Sequence, residues 1–433
     1  MLPAPLPSDT VSLRSALAYW LKLGCLSFGG PAGQIAMMHA ELVEKRRWIS
    51  EARFLHALNY CMLLPGPEAT QLAIYIGWLM HKTRGGILAG ILFILPSLGL
   101  LIALSYLYLQ FGQHHLINGV LAGIRPAVAA IVCAAAWRIG RRSLTNVYLR
   151  AIAILSFIAI TVLSLPFPLI LLVAAVLGTA FAASIAPPDA TAKSASAATA
   201  LIDDNSPTPA HARFQLGGLL RIISLGVALG VLAWAALEYC FGPNNPLSEM
   251  TWFFTKTALL CFGGAYAVLP YVFQNAVEHF HWLSASQMMD GLALGESTPG
   301  PLIIVVAFIG YLGAAQLHSN PLLGALVAAA FTFLPSFLFI LAGGPLVEAS
   351  RTQWRLNAPL KAIAAAVVGV IASLALFFVS HISQNAAGAL DYRAIALMAV
   401  AGVALFRFQV GSISLLSAFA VFGALAAYCQ WPL

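Results

Sequence analysis

Two Pro-Gly-Pro triplets stand 234 positions apart, Pro65-Gly66-Pro67 and Pro299-Gly300-Pro301. A carboxylate borders each: Glu68 follows the first triplet, and Glu296 shortly precedes the second. Two diglycines, Gly29-Gly30 and Gly263-Gly264, repeat at the same spacing. Proline at a first helical position with glycine just before it suits a helix start. A helix start presents free N–H donors and about half a positive charge. Several such starts converging make an anion site. Cations recur in register too: Lys22 with Lys256, and Arg125 with Lys361. Thr70, Gln71, Ser297 and Thr298 are placed to donate hydrogen bonds to anion oxygens. Glu68 and Glu296 are candidate proton carriers, because a partly buried carboxylate can titrate near neutrality, and Asp290 is a further charge at the same depth. Each feature has a plainer reading. The breaks can be packing kinks, the lysines can snorkel to headgroups, and a carboxylate in a helix's first turn is electrostatically favoured anyway.

These residues sit in a chain that is 61% hydrophobic and only 9% charged, against about 25% charged in soluble proteins. Apolar runs at 87–110, 119–137 and 217–240 are each long enough to cross about 30 Å of hydrocarbon. The net charge of +7 belongs to short loops between such runs, so it reports topology rather than a nucleic-acid partner. The six cysteines form no CxxC pair, and the ten histidines show no metal spacing. His279 and His281 read as solvated loop residues. No metal or cofactor is expected. There is no redox ligand set or nucleophile–base constellation for an enzyme, and no Walker motif for ATP drive.

The repeat extends well beyond the breaks. Lys22, Phe28, Glu44 and Trp48 fall on Lys256, Phe262, Glu278 and Trp282 at the same offset, and FILPS at 93–97 matches TFLPS at 332–336. The expected fold is an all-α polytopic membrane protein of about 13 hydrophobic segments in two homologous halves. Its divisions are an N-terminal repeat at 1–183, an Ala/Ser/Pro-rich flexible linker at 184–216, a lone connecting helix at 217–240, and a C-terminal repeat at 241–433. Charge placement decides how the segments thread. If the first two segments of each half are re-entrant hairpins broken at GG and PGP, all loop Lys and Arg except Arg393 fall on one side. The lone helix then inverts the second half relative to the first. The N-terminus is expected in the cytoplasm, and Trp48 and Trp282 are expected as interfacial anchors. Inverted repeats with broken helices are a common transporter plan.

FGGPAGQIAMMHAELVEKRRWIS (28–50) with LLPGPEATQLAIYIGW (63–78), and FGGAYAVLPYV (262–272) with GESTPGPLIIVVAFIGY (295–311), resemble the paired signatures of the chromate ion transporter family. The resemblance runs from about residue 14 to 430. It implies chromate export across the bacterial inner membrane, conferring chromate resistance, with sulfate as the isosteric anion. The second signature departs from the family pattern at Gly295-Glu296-Ser297-Thr298 and at Ala307. A sulfate or other oxyanion carrier working inward is the alternative, and a passive channel is a further class. The partners expected are chromate or sulfate and the lipid bilayer, with no nucleic acid; a homodimer is left open. Arg125→Ala and Glu68→Ala are each expected to abolish chromate resistance while the protein still inserts in the membrane. Growth on chromate, with an immunoblot of the membrane fraction, checks this.

Overall fold

The computed structural model describes residues 11–28, 30–112, 114–181, 201–202, 212, 214–242, 245–262, 264–349, 357–384 and 389–431. Gly29, Gly263 and most of the 184–216 stretch lie outside the described residues. Among the described residues the chain is helical, with only two isolated β-bridges.

The first half contains α1 (Leu13–Leu26), α2 (Gly30–His39, extended by one π-turn to Lys45), α3 (Glu51–Leu63), α4 (Glu68–Phe111), α5 (His115–Ser143), α6 (Val147–Thr161) and α7 (Phe167–Ala180). α8 (Leu216–Phe241) connects the halves. The second half contains α9 (Pro246–Leu259), α10 (Ala265–Phe273, with its own π-turn to His279), α11 (Ala285–Ser297), α12 (Val305–Gln316), α13 (Pro321–Ala349), α14 (Asn357–Ile382), α15 (Tyr392–Phe406) and α16 (Ser412–Tyr428). Each segment expected to be broken divides into two helices at its glycine or proline break. α1 and α3 have 14 and 13 residues, about 21 Å or less at 1.5 Å per residue, so neither crosses a bilayer alone. The apolar run at 87–110 does not begin a helix of its own: it continues α4 past a kink where only His81 and Lys82 leave helical geometry. Among the described residues, five helices are long and apolar enough to cross a membrane: α4, α5, α8, α13 and α14. Of α8 only Gly226 is buried, so its leucines and valines require hydrocarbon around them.

The repeat is visible in the backbone itself. Positive φ occurs in matched pairs: Gly30 (73°) with Gly264 (98°), Arg47 (50°) with His281 (52°), and Gly66 (130°) with Gly300 (94°). Ser50 and Ser284 cap α3 and α11 in the same way, each accepting from the amide three residues on. The halves are inverted. Gly178, at the end of α7, stands against Pro359 and Ala362 at the start of α14, whereas Gly119 and Gly123, at the start of α5, meet Gly423 and Ala427 at the end of α16. Because α5, α6 and α7 alternate in direction, the end of α5 and the start of α14 lie on one side. The repeat-related helices α5 and α14 therefore run antiparallel.

Two expectations are revised. Trp48 and Trp282 do not face a lipid interface. Both are buried: Trp282 stacks on Phe280 at 4.6 Å, and Trp48 lies 4.8 Å beneath the Arg46 guanidinium. Re-entrant hairpins need a packed base, and these indoles supply it. Within the stretch read as linker, Leu201 donates its N–H to Arg47 O at 3.0 Å, and Ser50 N–H donates to Ile202 O at 3.0 Å, tying this point to the first half.

The inversion places loops 45–53 and 276–285 on opposite faces. Single cysteines there are expected to react with an impermeant thiol reagent from opposite sides; labelling of both from one side would overturn the arrangement.

Candidate functional site

Backbone that leaves helical geometry inside a bilayer must find its hydrogen bonds within the protein. Here the two halves satisfy each other. Gly66 N–H donates to Cys261 O at 2.6 Å, and Gly300 N–H donates to Ser27 O at 2.8 Å. Each Pro-Gly-Pro break thus docks on the chain just ahead of the opposite half's diglycine. Gln34 Nε2 donates to Gly300 O at 2.5 Å, and Gln71 Nε2 to Pro65 O at 2.7 Å. A Cβ on Gly66 would overlap Ser336 Oγ, and one on Gly300 would overlap Ser97 Oγ. Ser97 and Ser336 are themselves repeat-related.

This crossing brings the first turns of α2 and α10 to one cavity of about 750 Å³. Gly30, Pro31 and Ala32 line it from one half, and Gly264, Ala265 and Tyr266 from the other. Glu68 and Glu296 share its wall with Arg138, Arg142 and Lys361. Arg142 lies within electrostatic reach of Glu68, and Arg138 of Glu296; the Tyr266 hydroxyl donates to Glu296. His56, Asn59 and Tyr60 of α3 close one side, and Ser412, Leu360 and Ile363 another. Three cations against two carboxylates line this cavity beside two helix starts, a charge balance that suits an anion better than a cation.

Of the residues singled out in the sequence, Gly30, Gly264, Glu68, Glu296 and Lys361 meet at this cavity. Pro65, Gly66, Pro67, Pro299, Gly300 and Pro301 form the crossing behind it and do not line it. Thr70 and Gln71 are fully buried there. The Ser297 and Thr298 hydroxyls donate to Leu294 O and Gly295 O of their own helix. Lys22 and Lys256 are exposed on the outer face, Lys256 lying 4.9 Å over the Trp252 ring. Arg125 is engaged elsewhere, donating Nε and Nη2 to the two Asp290 carboxylate oxygens at 2.9 Å each, while Tyr108 Oη donates to the same carboxylate at 2.9 Å. Arg138 and Arg142 are the unexpected members. The apolar run ends at 137, which places them in a loop, but α5 continues to Ser143. Their i, i+4 spacing, one face of a helix, is the signal that could have found them.

A second buried charge cluster was also not expected. Arg53 Nη2 donates to Glu348 Oε2 at 3.1 Å, and Tyr75 Oη donates to Glu348 Oε1 at 2.6 Å. The Arg53 and Glu348 side chains are 5% and 2% exposed.

The inverted repeat and the break-lined cavity define a polytopic membrane transporter. Comparison with known proteins specifies which. The family model described as chromate transporter matches residues 15–179 and 248–426, and this chain belongs to that family. It is 32% identical over 364 residues to the chromate transport protein of Cupriavidus metallidurans, covering 84% of this chain and 82% of that protein. It is 34% identical over 369 residues to the chromate transport protein of Pseudomonas aeruginosa, covering 83% and 80%. A match to the Bacillus subtilis transporter YwrA is 30% identical over 130 residues, 30% of this chain but 72% of that protein, so a relative exists on the scale of one repeat. No solved structure matches.

Removing one partner of a buried ion pair leaves the other charge uncompensated, at a cost of about 3–5 kcal/mol. Glu348→Ala is expected to destabilise the protein by that order, read as loss of thermal stability in detergent. Glu348→Gln, which keeps the Tyr75 contact, is expected to cost less.

Proposed function

We propose that this protein exports chromate from the bacterial cytoplasm across the inner membrane, binding the dianion between the first turns of α2 and α10. The observation that carries this reading is the single cavity where both helix starts meet Arg138, Arg142 and Lys361. The cavity lies at the arginine-rich end of α5, the end that charge placement assigns to the cytoplasm, so the site faces the compartment from which an exporter loads. Moving an anion out of a negative-inside cell is downhill by about 2.3 kcal/mol per charge per 100 mV. Coupling then needs no nucleotide.

In the empty site Glu68 and Glu296 balance Arg142 and Arg138. With both carboxylates ionised, the three cations leave a net charge of +1; each proton taken up adds one. The proton count on this pair sets the affinity for a dianion, which makes Glu68 and Glu296 the coupling groups. Affinity is expected to rise as pH falls through their titration. A Glu68→Gln, Glu296→Gln double variant is expected to bind with a flattened pH profile. Tighter wild-type binding at higher pH would remove the pair from coupling.

Each charge-assisted hydrogen bond is worth about 1.5–3 kcal/mol, or roughly tenfold to a hundredfold in affinity. Arg138→Ala, Arg142→Ala and Lys361→Ala are therefore each expected to weaken chromate binding at least about tenfold. Labelled chromate taken up by everted vesicles, with sulfate as competitor, measures this. Accumulation in right-side-out vesicles instead would favour the inward oxyanion carrier, and unchanged binding in all three variants would displace the site.

A further inference from the structure

The repeat makes a structural demand that the cavity does not meet evenly. Arg125 of α5 corresponds to Lys361 of α14, and Asp290 of α11 corresponds to His56 of α3, at offsets of 236 and 234. In one place the pair is closed: Arg125 holds Asp290 through two 2.9 Å hydrogen bonds, Tyr108 adds a third, and the Asp290 side chain is 0% exposed. This joins α4 and α5 of the first half to α11 of the second. In the related place the pair is open. His56 and Lys361 line the cavity, and among the described residues the buried His56 Nε2 has no hydrogen-bond partner.

The two places lie toward opposite faces. Lys361 sits near the start of α14, on the side where α5 ends in Arg138 and Arg142. Arg125 sits nearer the start of α5, and Asp290 lies within α11, which leads inward from the 276–285 loop. Ring contact between Tyr108 and Phe308, 5.3 Å between centroids, packs α4 of the first half against α12 of the second beside the closed pair.

We propose that the Arg125–Asp290–Tyr108 cluster is the gate on the face opposite the cavity mouth, closed in this conformation, and that it parts when the His56–Lys361 side closes. An inverted repeat supplies the rationale: two halves of like fold can exchange roles, so the contact closed at one face is open at the other. The choice of charges fits a gate. A bidentate Arg–carboxylate pair is geometrically specific, while its desolvation cost keeps its net contribution to stability small, so it can open without unfolding its surroundings. The proposal rests on the cavity being the transport site, and its test separates the two.

In a cysteine-free background, Ala364→Cys places a thiol on the cavity wall. With the gate intact, an impermeant thiol reagent is expected to reach it from the cytoplasmic side only, and added chromate to slow the reaction. In Asp290→Asn and in Arg125→Ala the same thiol is expected to react from the far side as well, at least tenfold faster than with the gate intact. The exchanged pair Arg125→Asp with Asp290→Arg is expected to restore one-sided labelling. As a second arm, Tyr108→Cys with Phe308→Cys gives up the tyrosine's bond to Asp290 but leaves the Arg125–Asp290 pair in place. Bridging these thiols with a short bifunctional reagent is expected to stop transport while chromate still protects the cavity thiol. Labelling that stays one-sided in gate variants present in the membrane, or transport that continues after bridging, overturns the proposal. Loss of chromate protection alone, with sidedness changing as described, would count against the site and leave the gate standing.

Discussion

The fold turns on one pair of hydrogen bonds: Gly66 N–H to Cys261 O and Gly300 N–H to Ser27 O. Backbone unwound at bilayer depth has no water to turn to. Each break can persist only where another part of the protein accepts its donors, and here that part is the other half's break. The consequences are local and strict. The positive φ at Gly66 and Gly300, and the lack of room for a Cβ beside Ser336 and Ser97, fix glycine at both positions. The short helices on either side cannot slide independently. The first turns of α2 and α10 are therefore held at one cavity.

A polar centre held in this way must be enclosed by elements that tolerate lipid. α8 and the outer faces of α6, α7, α15 and α16 expose leucine, valine and phenylalanine, while the charged groups that remain inside are paired or face the cavity. Arg53 with Glu348 and Arg125 with Asp290 each tie a first-half arginine to a second-half carboxylate, and each has a tyrosine as third partner. A charge in this setting is costly unless paired. The cations Arg138, Arg142 and Lys361 line the cavity, offset in part by Glu68 and Glu296.

The sequence by itself determined the membrane setting, the all-helical class, the duplication and the position of every break. These follow from composition, apolar run length and glycine–proline chemistry, which act locally and leave their mark in order along the chain. It also marked Glu68, Glu296, Lys361, Gly30 and Gly264, which meet at the cavity: the repeat pairs the two glycines and pairs Lys361 with Arg125, and each glutamate stands beside a Pro-Gly-Pro triplet. Tertiary structure alone decided which residues of that set share a space. Gly66 and Gly300 went to the crossing, Arg125 to Asp290, and Lys22 and Lys256 to the outer face, while Arg138 and Arg142 entered the cavity when α5 ran beyond its apolar stretch. The physical reason is that a charge is placed by the partners the packed halves bring to it. Those partners lie in the other half of the chain, as Asp290 lies 165 residues from Arg125, beyond the reach of any local pattern.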